Sequence, residues 1–600
     1  MSPANEGRRR GLKAVSGLAA WGAAGGWSAG LSGCTRVAST ALPSTVEGGW
    51  LGPVMARGHA WRDGQFKPAD AASARTVHTL IIGAGVAGLS AAHHLMKLGI
   101  DDLAVIDLDD QPGGNAQAHH MAGLPCPTGA HYLPMPGPQA HQVQAWLAEL
   151  GVIRQVHGRW VADERHACHD PQERLFVPEG AGASSASRMP GPTHAPISTP
   201  TPGGLWRHGH WQDGFWPPAS PASRTQWQRL ALAIARAKRE LGFAMPTHRA
   251  PWTPAHAALD GQSLAQWLDA QGLSDPGLRW FMDYVCRDDY GAGAARVSAW
   301  AGVQYFASRH GLRLPPALGG VAASGADADA DAEADPVLTW PEGNGWLTRQ
   351  LAAPLGDRWH AGHMAVAVQD GRDGVTVHSV DMRNGRPVRW QAQQVVMAVP
   401  LRLAHRLLDA PPSALQAVQA RIDTAPWLVS NLLLSAPLDS RPGEELSWDN
   451  VFYSVEGVDG LPPSLGYVDA RHQSLAAPTG PSLLTHYWAL GGQTAEQGQA
   501  WRQSLHERSW QAWAWSVCQD LMRVHPDLPD KLLRIDLRRH GHAMVIPQPG
   551  LRSHPGLMAL TRPQGASGRL HFAHADLSAY SVFEEAFTHG ARAAQAVHGA

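Results

Sequence analysis

The feature that most constrains this chain is a glycine triplet set between a strand pattern and a helix pattern. Residues 76–82 (Thr-Val-His-Thr-Leu-Ile-Ile) have the β-branched and aliphatic content of a buried parallel strand. They run directly into Gly83-Ala84-Gly85-Val86-Ala87-Gly88. In such a unit the first glycine permits a tight turn, the second lets the backbone approach a pyrophosphate, and the third lets the next helix pack closely on the strand. A helix beginning near Val86 points the amides of Val86 and Ala87 at the phosphates. Leu89, Ala92, Leu95 and Met96 recur on one face of that helix, and Gly99 stops it. A second strand, Leu103-Ala104-Val105-Ile106, delivers Asp107, placed to accept hydrogen bonds from the adenosine ribose hydroxyls. A Gly-rich turn in a structural loop explains neither flanking strand. The unit therefore predicts an α/β fold with a Rossmann-type dinucleotide-binding domain and a parallel sheet.

With 600 residues the chain is longer than one core usually organises, so two intertwined domains are expected. Lys+Arg 49 against Asp+Glu 51 gives a net charge of -2. That balance exerts no long-range pull on phosphates, and nucleic acid is excluded as a partner. Cys34, Cys126, Cys168, Cys286 and Cys518 form no CxxC pair, and no HExxH or carboxylate–histidine cluster occurs, so neither a disulfide framework nor a metal site is expected.

After Asp107 the chain continues through Asp109 and Asp110 to Gly113-Gly114-Asn115, and here it resembles the flavin amine oxidase and protoporphyrinogen oxidase superfamily, whose second strand leads to an acid and then a GG turn. Further resemblances follow in order. They are the Gly-rich lead-in to a helix at residues 340–347, a strand pair through Val366 beside the adenine, a buried strand ending in Val399-Pro400, and a last strand delivering Asp576. The helix after it, through Glu585, Gly590, Ala593 and Ala594, would close over the cofactor.

The resemblance implies FAD, held noncovalently because no cysteine follows Cys518. Its ligands would be Gly83, Gly85, Val86, Ala87, Gly88, Asp107, Gly113, Gly114, Asn115, Val366, Val399, Pro400 and Asp576, with His131 and Tyr132 on a loop near the isoalloxazine ring. His542 belongs to a segment that approaches the flavin from the substrate side. Two departures matter. Asn115 stands where many relatives carry arginine, and Asn431 stands about where amine oxidases carry a lysine that addresses flavin N5 through water. Asparagine orients a water without supplying charge. Asn431 and His542 are the catalytic candidates.

The activity implied is hydride transfer from a small-molecule substrate, an amine or amino acid by default, to flavin N5, with oxygen or another acceptor completing the cycle. The missing lysine keeps open a desaturase or isomerase acting on an apolar substrate. A non-catalytic flavin-binding lipoprotein is the reading from a different class.

The N-terminus reads as an address. Arg8-Arg9-Arg10 precedes an uncharged Ala/Gly/Trp-rich stretch, and Leu31-Ser32-Gly33-Cys34 resembles a lipobox, so a twin-arginine export signal with lipidation at Cys34 is expected. Such a protein would be an exported bacterial lipoprotein, facing the periplasm and held at a membrane, preferably the outer one, by this anchor alone. The expected organisation is signal 1–34, tether 35–74, an FAD-binding domain from 75–134, 337–410 and 532–600, and a mixed, helix-rich substrate domain from 135–336 and 411–531. Insertions at 180–204 and 319–335 are too polar and small-residue-rich to order themselves. Trp-containing helical stripes at 225–241 and 504–524 are expected to be core.

Overall fold

In the computed structural model the strand expected at 76–82 forms as Ala74–Ile82, and its last residues, Leu80, Ile81 and Ile82, are buried on both faces. The structure describes residues 41–68, 74–168, 173–179, 209–320, 336–440, 447–453, 456–473, 480–565 and 567–600. The signal with Cys34 and the insertion 180–204 lie outside the described residues, as does all of the second insertion after Gly320. Among the described residues no helix is long and apolar enough to cross a membrane.

Ala74–Ile82 lies inside a seven-stranded sheet, flanked in parallel by Leu103–Ile106 and by Arg386–Met397. Leu570–Phe572 also runs parallel to Arg386–Met397, and an antiparallel pair, Gly374–Asp381 and His363–Gly371, extends the sheet. Helix Val86–Lys97 leaves the glycine turn and packs against Phe583–His598 and His141–Glu149 over one face. Gly590 decides how near these helices come. A Cβ there would overlap the Ala87 carbonyl oxygen and meet the Ala91 amide at 2.8 Å.

The second domain is built on an eight-stranded sheet whose centre is Leu532–Val545, Thr424–Leu434 and Ser482–Ala489. All of Thr424–Leu434 is buried because both faces are covered. Leu428, Leu432 and Leu434 meet helices Ala495–Glu507 and Trp510–Met522, while Ala425, Trp427 and Val429 face the core of Pro221–Leu241, Pro276–Tyr290 and Ala299–Ala307.

Four expectations are corrected. The stretch taken as a tether contains an edge strand, Glu47–Trp50, paired in parallel with Leu532–Val545, and a helix, Val54–Arg62. Leu532–Val545 belongs to the substrate-side sheet and not to the cofactor sheet. Helix His141–Glu149 and the hairpin Ile153–Ala162 join the cofactor-domain core, beyond the expected boundary at 134, because Trp146, Leu147 and Ile153 pack there. The helical stripe at 504–524 is two helices, since the Ser509 hydroxyl caps a new one by accepting from the Ala512 amide at 3.2 Å.

Candidate active site

The glycine turn and the GG turn form one cradle. Gly83 has φ +106 and no room for a side chain, since a Cβ would strike the Ala398 carbonyl and lie 3.0 Å from Val399 Cγ1. A Cβ at Gly88 would overlap the Gly83 carbonyl oxygen. The Gly113 amide donates to the Ala84 carbonyl at 2.7 Å, and a Cβ on Gly114 would come within 3.1 Å of the Gly85 Cα. Gly83, Ala87, Gly88 and Gly113 are thus enclosed, whereas Gly85, Val86, Gly114 and Asn115 keep open surface. A Cβ on Gly85 would meet nothing within 4 Å. That open backbone at a helix N-terminus fits a pyrophosphate.

Asp107, half-buried, is tied into this cradle. Its carboxylate accepts from the Ala84 amide at 2.7 Å and the Asp109 amide at 2.8 Å, fixing the loop to the strand end. Burial raises its pKa to about 6 against those two hydrogen bonds. Asp576 lies fully buried beside Val399 and Pro400. It accepts from the Leu401 amide at 2.9 Å and pairs with His574 at 3.1 Å; burial acts upward on its pKa, but His574 and the Leu401 amide bring it below the ordinary carboxylate value. Asn115, exposed, donates to the Ala543 carbonyl, which joins the GG turn to the substrate-side sheet. Val366 is buried at a bulge in its strand.

The loop through His131 and Tyr132 is braced by the Gly-rich lead-in. Asn344 donates through its backbone to Ala130 O at 3.0 Å and through Nδ2 to Tyr132 O at 2.9 Å. His131 and Tyr132 form an aromatic cluster with Trp448 and Tyr487. Ring centroids lie 4.9 Å apart for His131–Tyr132, 5.3 Å for His131–Trp448 and 5.2 Å for His131–Tyr487. Burial lowers the His131 pKa to about 3, so the ring is neutral, and its Nε2 is enclosed without a partner among the described residues.

Carboxylates lie near this cluster, and sequence reasoning missed them. Asp288 and Asp289 end the helix Pro276–Tyr290, where the helix dipole disfavours anions. Asp449 follows Trp448. Asp289 stands 3.8 Å from Arg309, whose guanidinium lies over the Tyr305 ring. Among the described residues neither Asp288 nor Asp449 is in an ion pair. Burial, then the neighbouring Asp289, pushes Asp288 up to about 7, and burial with Glu173 and Asp288 nearby pushes Asp449 well up. Burial, and after it these carboxylates, push the phenols of Tyr132, Tyr284 and Tyr487 well up. The helix also carries Arg279, Asp283 and Arg287, so nothing in its sequence set Asp288 and Asp289 apart.

The two catalytic candidates lie elsewhere. Asn431 is fully enclosed; its Nδ2 donates to Pro127 O at 2.8 Å and its Oδ1 accepts from Thr485 Oγ1 at 2.8 Å. Its amide binds sheet to loop and presents no surface to a substrate. His542 is exposed, with Nδ1 2.8 Å from Thr424 Oγ1 and Arg502 and Arg402 close by. His540, two residues earlier, is the one held inward, its Nε2 2.8 Å from Thr128 O, and the register shift opposite Ala425 and Trp427 breaks the regular strand between the two histidines.

A profile of the family described as flavin containing amine oxidoreductase matches residues 86–598. Polyamine oxidase 1 of Oryza sativa subsp. japonica is 31% identical over 121 residues, 20% of this chain and 23% of that protein. Protein anon-37Cs of Drosophila melanogaster is 31% identical over 94 residues, 16% and 19% of the two chains. The aligned stretches span about a fifth of these curated relatives. The fold is similar to that of putrescine oxidase bound to putrescine (TM-score 0.59, 17% identity, 88% of this chain and 100% of that one). It is also similar to cyclohexylamine oxidase from Brevibacterium oxydans IH-35A (0.58, 16%, 87% and 99%) and to a CLA-producing fatty acid isomerase from P. acnes (0.53, 14%, 86% and 97%).

Proposed function

Because the chain belongs to the flavin-containing amine oxidoreductase family, matched over residues 86–598, we propose that it works as an FAD-dependent oxidoreductase on cationic amines. The observation that carries this reading is the aromatic cluster of His131, Tyr132, Trp448 and Tyr487, taken as the wall of a substrate recess, which has Asp288 and Asp449, without ion-pair partners among the described residues, as its charged neighbours. Carboxylates held in a protein-enclosed recess gain most from an incoming ammonium, and aromatic faces favour the same charge. An apolar polyene or fatty acid offers those carboxylates no countercharge and would gain nothing from them, which weighs against a desaturase or isomerase.

The amides around Gly85 and Val86, opposite Gly114, would hold the pyrophosphate, and Asp107 and Asp576 hold the turns on either side. FAD held there would supply two-electron acceptance for the oxidation of an amine to an imine. Asp288 and Asp449 bind and orient the ammonium, while His131, neutral at working pH, adds no opposing positive charge. Oxygen or another acceptor completes the cycle.

Anaerobic addition of putrescine, cyclohexylamine, amino acids and a polyunsaturated fatty acid to the purified flavoprotein tests the reading. Bleaching of the flavin absorbance by an amine supports it. Bleaching by none of the amines would sink it, and bleaching by the fatty acid alone would install the apolar alternative. A flavoprotein inert to the whole panel would be the non-catalytic lipoprotein.

The N-terminal address belongs to the same proposal: twin-arginine export, lipidation at Cys34 and a periplasm-facing, membrane-held protein. The order of the paired arginines, the uncharged stretch and the Leu-Ser-Gly-Cys tetrapeptide supports it. Mass spectrometry of the membrane fraction should find a lipidated Cys34 as the first residue, and an intact upstream sequence would remove the idea.

A further inference from the structure

The segment before the dinucleotide unit carries an assignment of its own, which rests on the FAD reading above. Glu47–Trp50 adds a parallel edge strand to Leu532–Val545, and the Leu51 amide continues the ladder to Leu537 O at 2.8 Å. From there Val54–Arg62 crosses to the cofactor domain. Arg57 holds the acidic turn that follows Asp107: Nη1 donates to Leu108 O at 2.6 Å and to Asp110 Oδ1 at 2.8 Å, and Nη2 donates to Asp110 Oδ2 at 3.0 Å. One turn later Trp61 Nε1 donates to Val366 O at 3.2 Å, the carbonyl that the strand bulge turns out of the ladder. Trp61 and Phe66 then pack on Met364, Val366 and Leu108.

The same turn is gripped from beneath. Arg538, buried, donates to Asp109 Oδ2 at 3.1 Å and Gln117 Oε1 at 3.0 Å, and its other nitrogen reaches Leu51 O at 3.4 Å. Leu51, Arg538, Asp109 and Asp107 therefore form one connected chain from the edge strand to the ribose-facing acid.

The segment's contacts with the cofactor domain thus lie at the end of the site that would take adenosine, while towards the substrate side the His59 ring meets that of His506 at 4.6 Å and Arg539 lies over Trp50. The helix is otherwise lightly held. It is nine residues long, none of its side chains is fully buried, and a helix of that length is not stable alone. Its order comes from Arg57, Trp61 and the edge strand.

We propose that residues 47–66 are a strap that retains FAD by fixing its adenosine end, with Arg57 and Trp61 as positioning residues acting through the 107–110 turn and Val366. Linkage gives a test on the unaltered protein, because a strap that tightens FAD binding must itself be tightened by FAD to the same factor. Hydrogen exchange at residues 54–62 should slow by roughly 10-fold when FAD is added to apoprotein. No slowing would overturn the proposal.

Variants give the second measurement. Arg57→Ala and Trp61→Ala should each raise the Kd of FAD by about 10-fold. ADP, which carries the adenosine and pyrophosphate alone, should weaken in parallel, while riboflavin binding, the apoprotein Tm and the reduction rate at saturating FAD stay unchanged. Arg57→Lys, which keeps the charge but not the bidentate fork, should recover part of the loss. Unchanged FAD affinity in both alanine variants, or weakening of riboflavin with ADP unaffected, would overturn it. Wild-type protein that binds no FAD would instead defeat the cofactor reading on which the strap depends.

Discussion

Individual residues set the chemistry of the recess, and Asp288 is the most telling. Its folded pKa, raised from 3.8 to about 7 by burial, means the folded protein binds that proton more tightly than the unfolded chain. The stability this contributes is fully present below 3.8 and is lost as pH rises through about 7. Asp288→Asn should therefore flatten the fall in Tm between roughly pH 4 and 7. Binding runs the other way, because the ionised carboxylate is the form that holds an ammonium. KM for an amine should fall as pH rises through about 7 in the wild type, and Asp288→Asn should raise KM by about 10- to 100-fold with a smaller change in kcat. Steady-state kinetics across pH checks both. At Gly88 the constraint is steric. Gly88→Ala forces a Cβ onto the Gly83 carbonyl, so a loss of about 1–3 kcal/mol and of bound flavin per chain is expected in urea titrations and absorbance spectra.

Elements translate these contacts into positions. The parallel strand, the glycine turn and the helix behind it were legible because their signals are local: β-branched residues, glycines at fixed spacing, an apolar face recurring with the helical period. The same locality explains Pro221–Leu241, where Trp227, Leu230 and Ile234 are fully buried as core. It failed at 504–524, where an apolar stripe continues across a serine that caps a new helix. Ser509→Ala should cost about 1 kcal/mol, measured by urea unfolding, and leave flavin binding alone. Gly590 acts between elements. Gly590→Ala would wedge Phe583–His598 away from Val86–Lys97, and the expected outcome is a lowered Tm together with weakened FAD retention, since the second helix carries the phosphate-facing amides.

At the scale of the whole molecule specific ties hold the eight-stranded sheet to the hairpin Ala118–Pro127, and Asn431 is one of them. Asn431→Ala should destabilise the protein by about 1–3 kcal/mol, by leaving Thr485 and the Pro127 carbonyl unpaired, while the rate of anaerobic flavin reduction is nearly unchanged. A large fall in that rate at unaltered stability would restore a catalytic role to Asn431. Sequence by itself determined the dinucleotide unit, the α/β class and the flavin family, because each is written in contiguous motifs whose spacing is dictated by strand, turn and helix geometry. It could not determine the recess. Asp288, Asp449, His131 and Tyr487 lie far apart along the chain, and nothing local distinguishes them from ordinary helix, loop and strand residues. Only the tertiary structure brought Asp288 and Asp449 among aromatic rings without ion-pair partners, enclosed Asn431, turned His542 outward, and laid Val54–Arg62 across the adenosine end. The reason is physical: burial and long-range pairing follow from which faces the sheets cover, and strand Leu532–Val545 shows that such a choice can move a whole segment from one domain to the other.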